Sequence, residues 1–396
     1  MRYSSRVPGE FAPNEFFRAV EGRRSAGSRL RDLTVSNPTL AGLDYPLEEI
    51  QSAMAQASRH AYEPNPRGLP TAREAVAAYY RSHGVSLPAD SIILASGTSE
   101  AYGHLFKLLC APGETVLYPQ PSYPLIGSIA GLEGAAAHPY PLVGKDRRWN
   151  VPEISDSITA ATRAVVAVSP NNPTGGMLTA GELRALSALC ASRSLALVVD
   201  EVFLDYPAPA RVSSVVSSAG NPDALTFTLG GLSKACGFPH LKLAWIAVSG
   251  PENEAREALA RLEFIADAFL SVGTPVQQAA GALFELGATV RDQIRRRVDR
   301  NEERLRILLD GAPGAAVSSR DGGWYSVVGL PPGWEDEAFA LRLLEEEDVI
   351  VQPGYLFDLE AEQAVIVSLL TPESIFEEGL RRMVRLLNNP ASVDKP

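Results

Sequence analysis

Between Ile92 and Ile246 the chain repeats one pattern: a short continuous apolar run, a cluster of Gly, Ser, Thr, Asn or Asp, then apolar residues at helical spacing. The runs at 91–95 (SIILA), 114–118, 163–168 (RAVVAV) and 195–199 (LALVV) have strand length without alternation, which marks strands buried on both faces. A further strand is expected at 136–141, and helical spacing follows at 101–110 and 179–192. The alternation predicts a mostly parallel sheet with helices on both faces. Ligands of such sheets lie beyond the carboxyl ends of the strands. Gly97, Asn172, Asp200 and Lys234 each follow an expected strand, so one crevice can hold all four.

The flanks read differently. Residues 11–31 predict a short helix with Phe16, Phe17 and Val20 on one face; LTVSNPT is an extended segment closed by a turn at Asn37-Pro38. Residues 46–58 predict a proline-opened helix, and Tyr62 heads a turn-rich loop before another. After Trp245, long helices are expected at 252–267 and 275–310, the second with Arg291, Arg295, Arg296, Arg297 and Arg300 mostly on a solvated face. Strands at 324–328, 349–351 and 364–368 then alternate with helices at 336–346 and 372–387, an α+β module.

Composition narrows the partners. A chain of 396 residues with 45% hydrophobic content can bury a large core, and a net charge of -11 without a basic block argues against nucleic acid or an anionic membrane surface. No apolar signal core or stretch of eighteen apolar residues occurs, so no membrane partner is expected. Cys110, Cys190 and Cys236 are too scattered for a disulfide framework or a metal cluster and fit a reducing cytoplasm.

Lysine is scarce: Lys107, Lys145, Lys234, Lys242 and Lys395 are the five in the sequence. Two lie in TFTLGGLSKACGFPHLKLAW, where Lys234 follows an apolar run and small residues, a setting that desolvates an amine and lowers its pKa. The strand, Gly97-Thr98-Ser99 turn and helix aim N–H groups and a helix dipole at one spot, a seat for a phosphate or simply a capped helix. Asp200 and Glu201 end an apolar strand and require partners. A phosphorylated aromatic aldehyde would use each group: Lys234 as Schiff-base amine and proton carrier, Thr98 and Ser99 at the phosphate, Asp200 at a protonated ring nitrogen, Asn172 at a ring oxygen.

The sequence resembles the fold-type I, pyridoxal-phosphate-dependent class I/II aminotransferases over nearly its whole length. The resemblance rests on Asn172-Pro173-Thr174-Gly175, Asp200-Glu201-Val202-Phe203 and Ser233-Lys234, supported by Gly97-Thr98-Ser99-Glu100-Ala101, Pro121-Ser122-Tyr123-Pro124 and Pro353-Gly354. It implies the aspartate-aminotransferase-like α/β fold: a large domain over 51–285 and a small α+β domain built from 1–50 and 286–396. The implied cofactor is pyridoxal 5'-phosphate, with Lys234 as internal aldimine, Asp200 at the ring nitrogen, Asn172 at the 3-oxygen and Tyr123 stacked on the ring. Thr98 and Ser99 would take the phosphate, with Lys242 as a point charge, and Gly97, Phe203 and Ser233 would also belong to the cofactor-binding set. The implied reaction moves an amino group between an amino acid and a 2-oxo acid, in a cytoplasmic homodimer whose Tyr62 reaches across the interface to the phosphate. No metal is implied.

Four positions depart from the family pattern. Phe203 replaces a tyrosine, Lys242 an arginine, and Ser36 a glycine in the N-terminal substrate loop with Asn37. Ile366 stands where the arginine that clamps the substrate α-carboxylate is expected, leaving Arg320, near Tyr325, as a candidate replacement or a solvated turn residue. Phe203 and Ile366 keep open a lyase, decarboxylase or cyclising enzyme on the same cofactor. A non-catalytic cofactor-binding module is the third reading, disfavoured because Lys234, Asp200 and Asn172 are all present.

Overall fold

A computed structural model describes residues 3–9, 13–57, 62–359 and 363–388. Its centre is a seven-stranded sheet in the spatial order Ile92–Ala95, Ala244–Ser249, Thr226–Gly231, Ala196–Asp200, Thr162–Val168, Thr115–Gln120 and Ala136–Pro141. Neighbouring strands run parallel except around Ala244–Ser249, which is antiparallel to both of its neighbours. The reversal follows from the short connection through Lys234, which has no room for a crossover helix that would return the chain to a parallel start. Strands Ile92–Ala95, Ala196–Asp200 and Ala244–Ser249 are buried at every residue, as continuous apolar runs require when both faces are covered.

One face of the sheet packs on helices Thr98–Leu109, Leu125–Glu133 and Glu252–Asp267. The other meets the helix Ala180–Ser192 and, further along, Pro70–Ser82 and the long helix Thr274–Leu309. That 36-residue helix passes through position 285 without a break and carries contacts to both ends of the chain. Near it, Arg31–Asp32 pairs in parallel with Val349–Ile350, and a four-stranded sheet joins Gln352–Pro353, Ala364–Ser368, Tyr325–Gly329 and Ala316–Val317. Asn301 of the long helix donates to the carbonyls of Leu369 and Thr371 at 2.8 and 2.7 Å, fixing the end of strand Ala364–Ser368.

Several local expectations are corrected. The first helix is shorter, Glu15–Ser25, capped by Asn14; Phe16 and Val20 are buried but Phe17 is exposed, and Phe11 lies outside the described residues. The helix expected from 101 starts at Thr98. Of the long helix's arginines, Arg291 and Arg297 point inward, because carbonyls of Ala235, Ala41 and Leu370 need donors there. Cys190 and Cys236 are buried, Cys110 is half-buried, and all three are free thiols. No described helix is long and apolar enough to cross a membrane, and no group of three or more potential metal-ligating side chains occurs among the described residues.

Candidate active site

Strand Thr226–Gly231 runs straight into the one-turn helix Leu232–Ala235, so Lys234 stands on a helical turn past the strand rather than at its end. The approach is tight: a Cβ at Gly230 would lie 2.5 Å from the Trp245 ring, so only glycine lets the strand lie so close. Lys234 Nζ then enters a pocket of aromatic rings, 5.5 Å from the centre of Phe203 and closer still to Trp324. Burial lowers the amine to about 8, and Asp200 opposes that shift.

Asp200 closes the strand Ala196–Asp200 and is buried. Its Oδ1 accepts the Val202 N–H at 3.1 Å and its Oδ2 accepts the Tyr102 hydroxyl. Burial raises the carboxyl to about 6 against these two bonds and Lys234, which makes the group responsive to any cation or N–H placed before it. Glu201, the second carboxylate of the pair, turns the other way: it accepts Ser217 and Ser218, and burial lifts it to about 7 against those bonds.

The turn after Thr162–Val168 divides its two asparagines by task. Asn171 is committed to the turn, donating to Pro121 O at 3.2 Å and accepting the Thr174 hydroxyl at 2.8 Å. Asn172 keeps its Oδ1 buried with no partner among the described residues, a polar atom that calls for a ligand. Thr98 and Ser99 open the helix Thr98–Leu109, where Gly97 supplies no side-chain cap, so first-turn N–H groups and two hydroxyls face an anion site.

These groups meet. Ser36, Thr98, Ser99, Tyr123, Asn172, Asp200, Phe203, Ser233, Lys234 and Tyr325 line one cavity of about 210 Å³. Ser36 is held there by its bond with Tyr325, while the neighbouring Ser368 hydroxyl donates to Val35 O at 2.6 Å. Asn37 instead caps the short helix Pro38–Leu40. Lys242, with φ of 50°, is exposed and lies outside the cavity wall, as does Tyr62, which is 66% exposed in a separate depression beside Leu270 and Gln277.

Arg320 is neither a solvated turn residue nor a cavity group. It is buried, bound to Glu302 through both Nε and Nη2, and donates to Gly323 O at 2.6 Å. Its guanidinium is consumed in fixing the loop against the long helix, so it cannot replace a missing carboxylate clamp.

Several site residues escaped the sequence reading. Tyr102, Trp324, Val168 and Val202 reach the site or its partners through packing; only Tyr102, one helical turn after Thr98, had a spacing that could have drawn notice. Behind Lys234 lies a supporting network. The Tyr206 hydroxyl donates to Lys234 O at 2.6 Å, and Arg291 donates to Ala235 O at 3.1 Å. Arg295 Nε donates to the Asp205 carbonyl at 2.6 Å. The Asp205 carboxylate gathers the Tyr79 hydroxyl at 2.8 Å, His83 at 3.3 Å and Arg291 at 3.6 Å.

The family described as "Aminotransferase class I and II" matches residues 29–377. The chain is 25% identical over 372 residues to "Glutamate-pyruvate aminotransferase AlaA" of Haemophilus influenzae, covering 92% of each. It is 28% identical over 394 residues to "Arginine--pyruvate transaminase AruH" of Pseudomonas aeruginosa, covering 97% of each. Among solved structures, "Alanine aminotransferase from Pyrococcus furiosus" shares the fold with a TM-score of 0.88 at 23% identity, over 98% of this chain and all (100%) of that one.

Class I and II aminotransferases use pyridoxal 5'-phosphate, and the residues present fit it. A desolvated amine suits its aldehyde, a buried carboxylate its ring nitrogen, the N–H of the cavity-lining Asn172 amide its ring oxygen, and an uncapped helix start its phosphate. Fold, site and sequence agree over most of the chain's length, and this protein belongs to the class I and II aminotransferases.

Proposed function

We propose that Lys234 holds pyridoxal phosphate covalently through its amine and, once displaced by substrate, carries the proton between the substrate Cα and the cofactor, so that an amino group passes between an amino acid and a 2-oxo acid. The observation that carries this reading is the placement of Lys234, Asp200 and Asn172 on one cavity. When bound, the cofactor supplies an electron sink for the pair left at Cα. Asp200 keeps a proton on the ring nitrogen, Asn172 hydrogen-bonds the ring oxygen, and Tyr123 covers the ring. Gly97, Thr98, Ser99 and Ser233 bracket the phosphate, with Lys242 as an outer point charge. Burial of Nζ keeps a useful share of the amine neutral near pH 8, with the Phe203 and Trp324 rings beside it.

The working unit we propose is a cytoplasmic homodimer in which Tyr62 of one subunit reaches the cofactor phosphate of the other. Its exposure supports this, since an aromatic ring 66% exposed is available to a partner. We divide the chain within the helix Thr274–Leu309, near 285/286, into a large domain and a small one formed with residues 1–50.

Borohydride reduction followed by peptide mapping tests the assignment: the label is expected on Lys234, and a label on Lys242, or none, overturns it. A second reading, elimination, decarboxylation or cyclisation on the same cofactor, draws on Phe203 and Ile366, which leave the site short of a hydroxyl and a guanidinium. A panel of amino acids separates the two, because transfer converts the cofactor to its amine form whereas the other chemistries release product with the cofactor unchanged.

A further inference from the structure

The cavity has two unlike ends. At one, Thr98 and Ser99 present a helix start to an anion. At the other stand Ser36, Tyr325 and Phe203, and behind Tyr325 the wall is hydrocarbon. Ile366 pairs with Val327, and Tyr325 with Ser368, on one face of the small sheet. Ile366, Val327, Phe357 and Leu359 form a closed apolar cluster against which Tyr325 packs, with Tyr325 and Phe357 ring centres 6.4 Å apart. Ile366 has no exposed surface, so no water-filled space remains there for a charge.

Among the described residues lining the cavity, Lys234 is the single cation, and it is occupied in the reaction itself. The arginines that neighbouring elements turn inward are all committed: Arg320 to Glu302, Arg291 to Ala235 O and Asp205, Arg297 to Ala41 O and Glu373. An α-carboxylate entering this end would give up water with no guanidinium among the described lining residues to receive it. What the end does offer is neutral: the Ser36 and Tyr325 hydroxyls. Such groups match an uncharged carbonyl.

Building on the aminotransferase reading, the geometry points to an amino substrate whose α-carboxyl is masked as an amide or ester. The transfer balances as for any amine. Cα gives up its hydrogen as a proton, water breaks the C–N bond and supplies the carbonyl oxygen, and Cα is oxidised by two electrons. The nitrogen and that electron pair stay on the bound cofactor, with the proton delivered to its carbon, and the Lys234 amine is set free. A 2-oxo acid completing the cycle meets the same wall and is expected to bind weakly.

Holoenzyme binding of 2-aminoisobutyric acid and of 2-aminoisobutyramide, read from the bound-cofactor absorbance, tests this without turnover, because neither compound has a Cα hydrogen. The amide is expected to bind at least about tenfold more tightly than the acid, in line with the loss of a charge-assisted pair. L-alaninamide is likewise expected to convert the cofactor with a higher kcat/KM than L-alanine, and Ile366→Arg to reverse both orders. If that arginine is not accommodated and the variant fails to fold, the wild-type comparison still decides. Equal or tighter binding of the acid overturns the masked-carboxyl proposal and leaves amino transfer standing. No spectral response to any of these compounds, together with no borohydride label on Lys234, overturns both.

Discussion

The Tyr102 hydroxyl donates to Asp200 Oδ2 at 3.0 Å, linking the first turns of the helix that starts at Thr98 to the end of strand Ala196–Asp200. The bond places one carboxylate oxygen and leaves the other beside the Val202 N–H, so the aspartate enters the cavity in one orientation. Tyr102→Phe is expected to weaken cofactor binding about tenfold to a hundredfold, the worth of a hydrogen bond to a charged group. Equilibrium dialysis of the cofactor against the apoenzyme, at a pH where Asp200 is ionised, measures it.

Asp200 is costly to the protein without its cofactor. Its folded-state pKa of about 6 lies above the ordinary value of 3.8, so the unfavourable term is absent below about 4, grows between 4 and 6, and is complete above 6. Asp200→Asn is therefore expected to stabilise the apoprotein at pH 7.5 by about 2 to 3 kcal/mol, with the gain shrinking as pH falls below 6. Denaturant unfolding of the apoprotein at pH 7.5 and pH 4.5 checks it; the same variant should lose nearly all transfer activity.

Lys234 Nζ lies 4.6 Å from the centre of the Trp324 ring, close enough for the ring face to favour the charged amine against the burial that disfavours it. Removing the ring should let burial act more fully. Trp324→Leu is expected to lower the pH midpoint of cofactor capture by the apoenzyme by about one unit from its value near 8, speeding capture at pH 7. Stopped-flow absorbance across pH 6 to about 10 reads the midpoint.

In the proposed site Phe203 would turn a bare ring, with no hydroxyl, toward the cofactor's 3-oxygen; its ring meets Trp324 edge-on at 5.0 Å. Without that hydroxyl the 3-oxygen would be more basic, and the bound cofactor is expected to hold its proton to higher pH. Phe203→Tyr is expected to move the absorbance midpoint of the holoenzyme downward, and an unchanged or acidic wild-type midpoint would sink the idea.

Gly287 of the long helix faces Cys236, two residues past Lys234; a Cβ there would fall 2.4 Å from the Cys236 Cβ. Gly287→Ala should cost about 1 to 3 kcal/mol through overpacking and shift the Lys234 turn, reducing cofactor loading in proportion. Thermal unfolding and bound-cofactor absorbance measure the two effects.

The central sheet and the meeting of Lys234, Asp200 and Asn172 on one cavity were legible because each obeys a local rule: apolar runs without alternation make buried strands, and their carboxyl ends collect ligands. The roles proposed for the three rest on the family resemblance as well. Trp324 and Tyr206 were not legible, since a residue reaches the lysine's surroundings from another element only by tertiary packing. Arg320 illustrates the opposite failure. Its neighbours in sequence, Ser319 and Asp321, suggest a solvated turn, but its partner Glu302 lies on the long helix, and no local pattern announces that pairing. Arg291 and Arg297 were hidden for the same reason, among arginines whose spacing alone looks solvent-facing.

The helix Thr274–Leu309 also sets a phase for the molecule. Along its length Gly287 abuts Cys236, Arg291 holds Ala235 O, Arg297 reaches Ala41 O, Asn301 takes Leu369 O and Glu302 binds Arg320. The lysine turn, the N-terminal loop that carries Ser36 and the strand that carries Ile366 are thus read off one ruler. A residue inserted after Arg291 would rotate every later contact by about 100° and put the cofactor half of the site out of step with the substrate half, while both halves kept their own folds.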